Sequence, residues 1–252
     1  MLPGHRDWKN IRLQRGNAMD QDFSHKGDDY RLILKEIHEN LNPKTYLEIG
    51  TREGGTLALS RCPSIAIDPY FVLDDSATGT RKSTLFFQTT SDDFFENYDP
   101  CALLKQKMDF CFLDGLHEWE TLLRDFINTE KHCKPNSIIA IHDCLPSEIA
   151  MASRTDNGAW WTGDVWKILP ILSKYRPDLK IFSLDAPPTG LIFVTGLNPG
   201  STRLAEQYFD IVEEWRHVEL ENHGLENLFR NSNVLSTSLF RGRENLSRYF
   251  WL

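Results

Sequence analysis

The chain contains 252 residues, of which 40% are hydrophobic and 25% are charged, and its formal net charge is −8. This length and apolar content favour one large α/β domain with a sizeable core over two full domains. The acidic balance argues against nucleic acid as a partner, because proteins that track a phosphate backbone usually present basic surfaces.

The chain begins with a polar segment, residues 1–27, that is broken by glycine and proline and predicts an irregular N-terminal arm. From Asp28 to Leu41, apolar side chains recur at helical spacing, so we expect a helix with Asp28 or Asp29 as its N-cap. Pro43 follows and ends this helix.

A glycine turn after the first predicted strand is the first candidate site. The apolar residues Tyr46, Leu47 and Ile49 predict a buried strand. This strand leads through Gly50 and Gly54 into a helix from about Gly54 to Arg61. The turn lacks the G-x-G-x-x-G of dinucleotide-binding folds and the Gly-Lys-Ser/Thr of a P-loop. Glu48 is a poor neighbour for a phosphate. The pattern instead favours a cationic, hydroxyl-bearing ligand such as S-adenosylmethionine.

A second short strand, residues 64–67, ends at Asp68. A carboxylate at the tip of the second strand of a βαβ unit can accept hydrogen bonds from both hydroxyls of a ribose. The alternative is that Asp68 only caps the turn before Pro69.

Apolar runs predict three further strands, at residues 84–90, 108–114 and 137–141. Asp114 ends the second of these, and His142 and Asp143 follow the third. The carboxyl ends of parallel strands line one crevice, so side chains from distant parts of the chain converge there. Four acids are therefore expected on that edge: Glu48, Asp68, Asp114 and Asp143.

The tryptophans at positions 160, 161 and 166 precede a helical pattern. They form either the wall of a pocket for a second substrate or a packing contact between that helix and the sheet.

Residues 180–184 and 191–195 then predict an antiparallel closing hairpin. We assign residues 28–200 to the main domain. Residues 201–252, with a helix predicted over 202–221, form a C-terminal extension whose aromatic end docks on this chain or on a partner subunit.

The strand-end motifs resemble those of the class I S-adenosylmethionine-dependent methyltransferases, in the order and approximate spacing of that family. The resemblance extends from Tyr30 to Thr195 and is carried by residues 47–55, 66–68, 112–117 and 140–143. It implies a Rossmann-like α/β fold, with a seven-stranded, mostly parallel sheet, an antiparallel closing hairpin and helices on both faces. It also implies a set of cofactor-binding residues: Glu48, Gly50, Thr51, Gly54, Asp68, Ser91, Asp92, Asp114 and Gly115. Ser91 and Asp92 could instead cap the helix that follows them.

Two histidines at the predicted crevice are candidate general bases, because histidine titrates near neutral pH. They are His117 and His142, each of which could instead be satisfied by local hydrogen bonds.

Asp114 and Asp143 could share a divalent cation such as Mg²⁺, as in metal-dependent O-methyltransferases of this fold. Those enzymes carry an acid or amide where this chain has His142, and magnesium prefers oxygen ligands. Without a metal, Asp143 would orient one of the histidines.

The predicted function is methylation of a small hydroxyl-bearing acceptor, such as a sugar or secondary metabolite. The alternatives are a nitrogen acceptor, a non-catalytic nucleoside-binding module, or a nicotinamide-dependent oxidoreductase. Five dispersed cysteines without a C-x-x-C pair fit a reducing cytoplasm, and no window approaches the ~18 apolar residues of a membrane span. We therefore expect a cytoplasmic protein without a membrane or nucleic-acid partner, and consider a homodimer.

Overall fold

An eight-stranded sheet runs through the centre of the structure, a computed structural model that describes residues 22–156, 158 and 160–252. Most of the predicted N-terminal arm, residues 1–21, lies outside the described residues. The strands are β1 Tyr46–Ile49, β2 Ser64–Ile67, β3 Thr84–Phe87, β4 Met108–Leu113, β5 Cys133–His142, β6 Lys180–Leu184, β7 Leu191–Thr195 and β8 Val234–Leu235.

The strand order is β3-β2-β1-β4-β5-β7-β6-β8. Strands β1 to β5 are mutually parallel, and β7 pairs antiparallel with both β5 and β6. The predicted Rossmann-like fold and its closing hairpin are therefore confirmed. The sheet has one strand more than predicted, since β8 pairs with β6 through only two residues. Two residues are too few to show a periodic pattern in the sequence.

The helices are α1 Tyr30–Asn40, α2 Ser91–Asn97, α3 Pro100–Leu104, α4 Trp119–Lys131, α5 Ile168–Tyr175, α6 Arg203–Glu206, α7 Tyr208–Trp215, α8 Leu220–His223, α9 Leu225–Ser232 and α10 Gly242–Leu246. Asp29 caps α1, because its side chain accepts a hydrogen bond from the Arg31 amide. Within the described part of the chain, none of the helices is long and apolar enough to cross a membrane.

Hydrophobic clusters cover both faces of the sheet, so that β1 and β4 are buried along their whole length. One cluster includes Phe126 of α4 and Ile171 of α5. The other includes Ile37 of α1 and Phe250 near the C-terminus. Phe250 is only 1% exposed, so this residue of the aromatic C-terminal end is buried within the described structure.

Two predicted helices are shorter than expected. The helix predicted from Gly54 to Arg61 is a single 3-10 turn, Leu57–Leu59, because Gly54 has a φ of +81° and Pro63 follows closely. The helix predicted over 202–221 is divided into α6, α7 and α8. The amphipathic pattern indicated the buried side of this segment but not its breaks.

Candidate active site

A cavity of about 820 Å³ lies at the carboxyl ends of the parallel strands. Its wall includes Tyr30 at the start of α1 and Trp160 and Trp161 from the loop after β5. All of the predicted site residues except Glu48 and Gly54 line it: Gly50, Thr51, Asp68, Ser91, Asp92, Asp114, Gly115, His117, His142 and Asp143. The convergence expected from parallel strands is therefore observed.

Gly50 brings the ends of β1 and β4 together. Its φ is +86°, and a Cβ atom at this position would lie 1.9 Å from the carbonyl oxygen of Asp114. The Gly50 amide donates to the Ile67 carbonyl, and the Asp114 amide donates to the Ile49 carbonyl, both at 2.9 Å. Position 50 therefore has no space for a side chain, and the backbone of Gly50 lines the cavity.

Asp68 is anchored through both carboxylate oxygens. Oδ2 accepts a hydrogen bond from the Arg52 amide and Oδ1 accepts one from the Tyr70 amide, each at 2.7 Å. The second bond is the turn cap around Pro69 that the sequence left as an alternative. The capping bonds hold the carboxylate in place on the cavity wall, so the cap and a ligand contact are compatible.

Glu48 and Gly54 lie outside the cavity wall and support it. The Glu48 carboxylate is fully buried and accepts hydrogen bonds from the Tyr46 hydroxyl at 2.5 Å and the Thr56 hydroxyl at 3.1 Å. Burial raises the pKa of Glu48 to about 7. Gly54 packs against Ala77, whose Cβ would lie 2.6 Å from a Cβ at position 54. The structure thus gives neither residue the direct ligand contact that was predicted.

Ser91 and Asp92 line the cavity and do not cap the helix that follows. Thr90 is the N-cap of α2, because its hydroxyl accepts the amide of Asp93 at 3.1 Å. Asp92 receives hydrogen bonds from the Nε and Nη2 atoms of Arg124 at 2.8 to 3.1 Å. Hydrogen bonding to Asp92 raises the pKa of Arg124, so the two residues form an ion pair on this side of the cavity.

His142 lies between two carboxylates. Its Nδ1 atom is 3.4 Å from Asp114 Oδ1 and 3.3 Å from Asp143 Oδ1. Its ring packs against that of Tyr30 with the centroids 4.0 Å apart and an angle of 32° between the planes. Burial acts to lower the pKa of His142, but the attraction of Asp143 and Asp114 outweighs it and raises the pKa to about 10. His142 is therefore a cation at neutral pH.

His117 contacts the same acid from the other side. Its Nε2 atom is 3.1 Å from Asp143 Oδ2, and its ring lies 4.8 Å from that of Trp161. The Thr189 hydroxyl donates to Asp143 Oδ1 at 2.5 Å. Burial alone would raise the pKa of Asp143, but His142, His117 and Thr189 hold it below its ordinary value. Asp143 is therefore ionised and makes three polar contacts.

Three side chains of this part of the cavity could also bind a cation. One donor atom each from Asp114, His117 and Asp143 lie within 4.8 Å of one another. The imidazole in the set is His117. The family resemblance instead placed His142 at the position of an oxygen ligand. His142 is engaged as the cation between the two acids.

Several cavity residues were missed from the sequence. They are Tyr30, Arg31, Arg52, Arg124 and Thr189. Thr189 lies in the loop of the predicted hairpin and Arg124 lies on α4, where no strand-end motif marks them. The tryptophans divide between the two proposed roles. Trp160 and Trp161 line the cavity, whereas Trp166 is buried against Trp215 and His223.

Residues 24–144 match the family model of a methyltransferase domain. No curated protein matches the chain. Similar solved structures include an O-methyltransferase from Bacillus cereus in complex with SAH, at 14% identity over 68% of this chain and 82% of that chain, with a TM-score of 0.46. TomG, an O-methyltransferase from Streptomyces achromogenes in complex with SAM, is 14% identical over 67% of this chain and 79% of that chain, with a TM-score of 0.47.

A putative caffeoyl-CoA O-methyltransferase from Staphylococcus aureus is 17% identical over 66% of this chain and 81% of that chain, with a TM-score of 0.46. The family match covers β1 to β5 and the strand-end residues that form the cavity. Over residues 24–144 the chain therefore resembles a methyltransferase domain, and its strand order and strand-end motifs are those expected of the S-adenosylmethionine-dependent class.

Proposed function

We propose that this chain methylates a hydroxyl oxygen of a small-molecule acceptor, with His117 as the general base. One observation carries the proposal: the His117 imidazole meets the Asp143 carboxylate at 3.1 Å in the cavity that Gly50 and Asp68 also line. Nucleoside-binding groups and a proton acceptor thus face the same space. Methyl transfer requires this arrangement, because the acceptor must be aligned with the donor and lose its proton.

The residues at one end of the cavity suit S-adenosylmethionine. Asp68 offers a fixed carboxylate to ribose hydroxyls, and the Gly50 backbone allows a ligand to approach closely. Asp92 and Ser91 line the same cavity, and we assign them to the base of the nucleoside. The volume of about 820 Å³ falls within the usual range for ligand pockets and leaves room for an acceptor. When bound, this cofactor supplies an electrophilic methyl group on a sulfonium.

His117 is a better candidate base than His142. A histidine whose pKa is raised to about 10 is already protonated near neutral pH, so His142 cannot accept the acceptor's proton. In the described structure, His117 Nε2 faces Asp143, and its Nδ1 atom is buried without a hydrogen-bond partner among the described residues. Proton transfer to Nε2 therefore requires the acceptor hydroxyl to enter between His117 and Asp143. The negative charge of Asp143 then stabilises, through space, the imidazolium that forms.

The acceptor would lie against an aromatic wall. Trp160 is 71% exposed although it lines the cavity, and the ring of Trp161 packs at an angle of 33° against that of His117. Flat apolar side chains at the mouth of a cavity can stack on a ring or a sugar face. We therefore assign the tryptophan side of the cavity to the acceptor.

A divalent cation is the alternative means of activating the acceptor. The donor atoms of Asp114, His117 and Asp143 lie close enough together to bind one ion, which would lower the pKa of a coordinated hydroxyl. Under this alternative, His117 is a ligand and cannot be the base. Two carboxylates and one imidazole also suit Mn²⁺ or Zn²⁺ better than Mg²⁺.

The test is a methyl-donor assay with panels of hydroxyl-bearing and amine-bearing acceptors, with products identified by mass spectrometry. We expect His117→Ala to lower turnover by ~10² or more while S-adenosylmethionine affinity is unchanged. Activity that survives EDTA supports the base, and activity lost with EDTA and restored by a cation supports the metal. Amine methylation alone, or cofactor binding without any product, contradicts the proposal.

We also propose a cytoplasmic location. The five cysteines are all free thiols, and Cys111 and Cys133 remain unbonded although their sulfur atoms are 3.9 Å apart. This fits a reducing compartment.

A further inference from the structure

We propose that Asp99, Cys101 and His132 form a zinc site on the edge of the sheet opposite the cavity. The cavity lies where the parallel strands end, whereas His132 immediately precedes β5 and Asp99 precedes α3. One donor atom from each of the three side chains lies within 4.8 Å of the others. No part of this site depends on the proposed methyl transfer.

The spacing of the donor atoms fits tetrahedral zinc. His132 Nδ1 is 3.7 Å from Cys101 Sγ and 3.4 Å from Asp99 Oδ1. Zinc binds thiolate sulfur at about 2.3 Å, and imidazole nitrogen and carboxylate oxygen at about 2.0 to 2.2 Å. Tetrahedral angles then place sulfur and nitrogen about 3.6 Å apart, and nitrogen and oxygen about 3.4 Å apart. The side chains thus need little movement to bind the ion.

Each side chain is held by its own surroundings. Asp99 is the N-cap of α3 and accepts the Cys101 amide at 2.7 Å. The His132 ring stacks on Phe95, with centroids 5.9 Å apart and an angle of 8° between the planes. The His132 carbonyl accepts the amide of Met108 at 3.0 Å and the Cys101 thiol at 3.4 Å. Preorganised ligands favour binding because little conformational entropy is lost.

The chemistry of the three donors also suits a metal. Zinc would form a bond to Cys101 Sγ and release the thiol proton to solvent, with no change in oxidation state. The Asp99 side chain is 58% exposed, so the site is open to solvent and water can complete the coordination. A thiolate, an imidazole and a carboxylate favour zinc over magnesium or calcium.

Cobalt(II) is the probe that separates this site from the cavity. We expect cobalt chloride added to the metal-free full chain to give a thiolate-to-cobalt charge-transfer band, which zinc chloride abolishes by competition. Cys101→Ser should remove the band. His117→Asn should retain it, because the donor cluster of the cavity contains no cysteine.

Asp99→Asn is the conservative variant, since asparagine is an equally good N-cap and keeps α3 intact. It should weaken zinc affinity by more than about tenfold, since loss of even an outer-shell partner costs 10–100-fold. His117→Asn removes the imidazole of the cavity cluster, so zinc should raise the melting temperature of this variant through the Asp99, Cys101 and His132 site alone. Adding Cys101→Ser to His117→Asn should abolish that rise. The absence of a charge-transfer band in the wild type, or its persistence in Cys101→Ser, would overturn the proposal, as would unchanged zinc affinity in Asp99→Asn.

Discussion

Gly50 and the carbonyl of Asp114 are so close that a Cβ atom on the glycine would lie 1.9 Å from the carbonyl oxygen. The positive φ of Gly50 and this contact together fix the ends of β1 and β4 against each other. The residues that we assign to the nucleoside or to proton transfer follow the carboxyl end of β1, of β4 or of a neighbouring strand. The junction therefore positions the site as well as joining two strands.

Gly50→Ala is expected to destabilise the fold and to disrupt the cavity. The positive φ alone costs about 1–3 kcal/mol for a residue with a Cβ, and the clash with Asp114 adds to this. Gly55→Ala is the matched control, because a Cβ at that position meets nothing within 4 Å. Chemical denaturation measures the difference. Equal unfolding free energies for the two variants would mean that the junction tolerates a side chain.

His38 should make the protein sensitive to acid. The residue is buried on α1 between Tyr46 and Phe110, and neither ring nitrogen has a hydrogen-bond partner among the described residues. Burial lowers the pKa of His38 to about 3, whereas an unfolded chain protonates it near 6.5. The unfolded state thus binds more protons between these values, so stability is lost as the pH falls from about 6.5 towards 3.

His38→Leu removes this titration, so it should stabilise the protein by about 3 kcal/mol at pH 4 relative to its effect at pH 8. Denaturant unfolding at the two pH values provides the measurement. His217→Gln changes an exposed histidine and serves as the control. If His38→Leu and the wild type lose stability in parallel on acidification, His38 is not the group responsible.

Trp160→Ala is expected to weaken acceptor binding without affecting the cofactor. The side chain lines the cavity and is 71% exposed, so its loss should raise the KM for the acceptor by about tenfold and leave the Kd for S-adenosylmethionine unchanged. Trp251→Ala removes another exposed tryptophan, on a different part of the surface, and controls for general effects. A weaker affinity for S-adenosylmethionine with an unchanged KM for the acceptor would mean that the tryptophan end of the cavity binds the cofactor and not the acceptor.

The sequence predicted the strands and their acids well, because continuous apolar runs such as residues 110–113 have few alternatives to a buried parallel strand. Glu48 shows where this reasoning fails. It lies next to the glycine turn in sequence, but its side chain is buried beside Tyr46 and Thr56. Which way a side chain points at the end of a strand is set by the packing of the elements around it.

The same limit explains the residues that were missed. Arg124 reaches the cavity from α4 through its ion pair with Asp92, and Thr189 reaches it from a hairpin loop through Asp143. Neither residue belongs to a local motif. Their positions depend on how α4 and the β6–β7 hairpin pack against the sheet, which the spacing of residues along the chain does not specify.

Asp68→Asn tests the central claim, that the cavity binds S-adenosylmethionine through a carboxylate at the tip of β2. Isothermal titration of the purified chain with S-adenosylmethionine should show saturable binding. The variant should bind at least about tenfold more weakly, because the ribose loses charge-assisted hydrogen bonds. Asp210→Asn, at an exposed position on α7, should bind like the wild type. No binding by the wild type, or equal affinity in Asp68→Asn with the fold intact by circular dichroism, would contradict the claim.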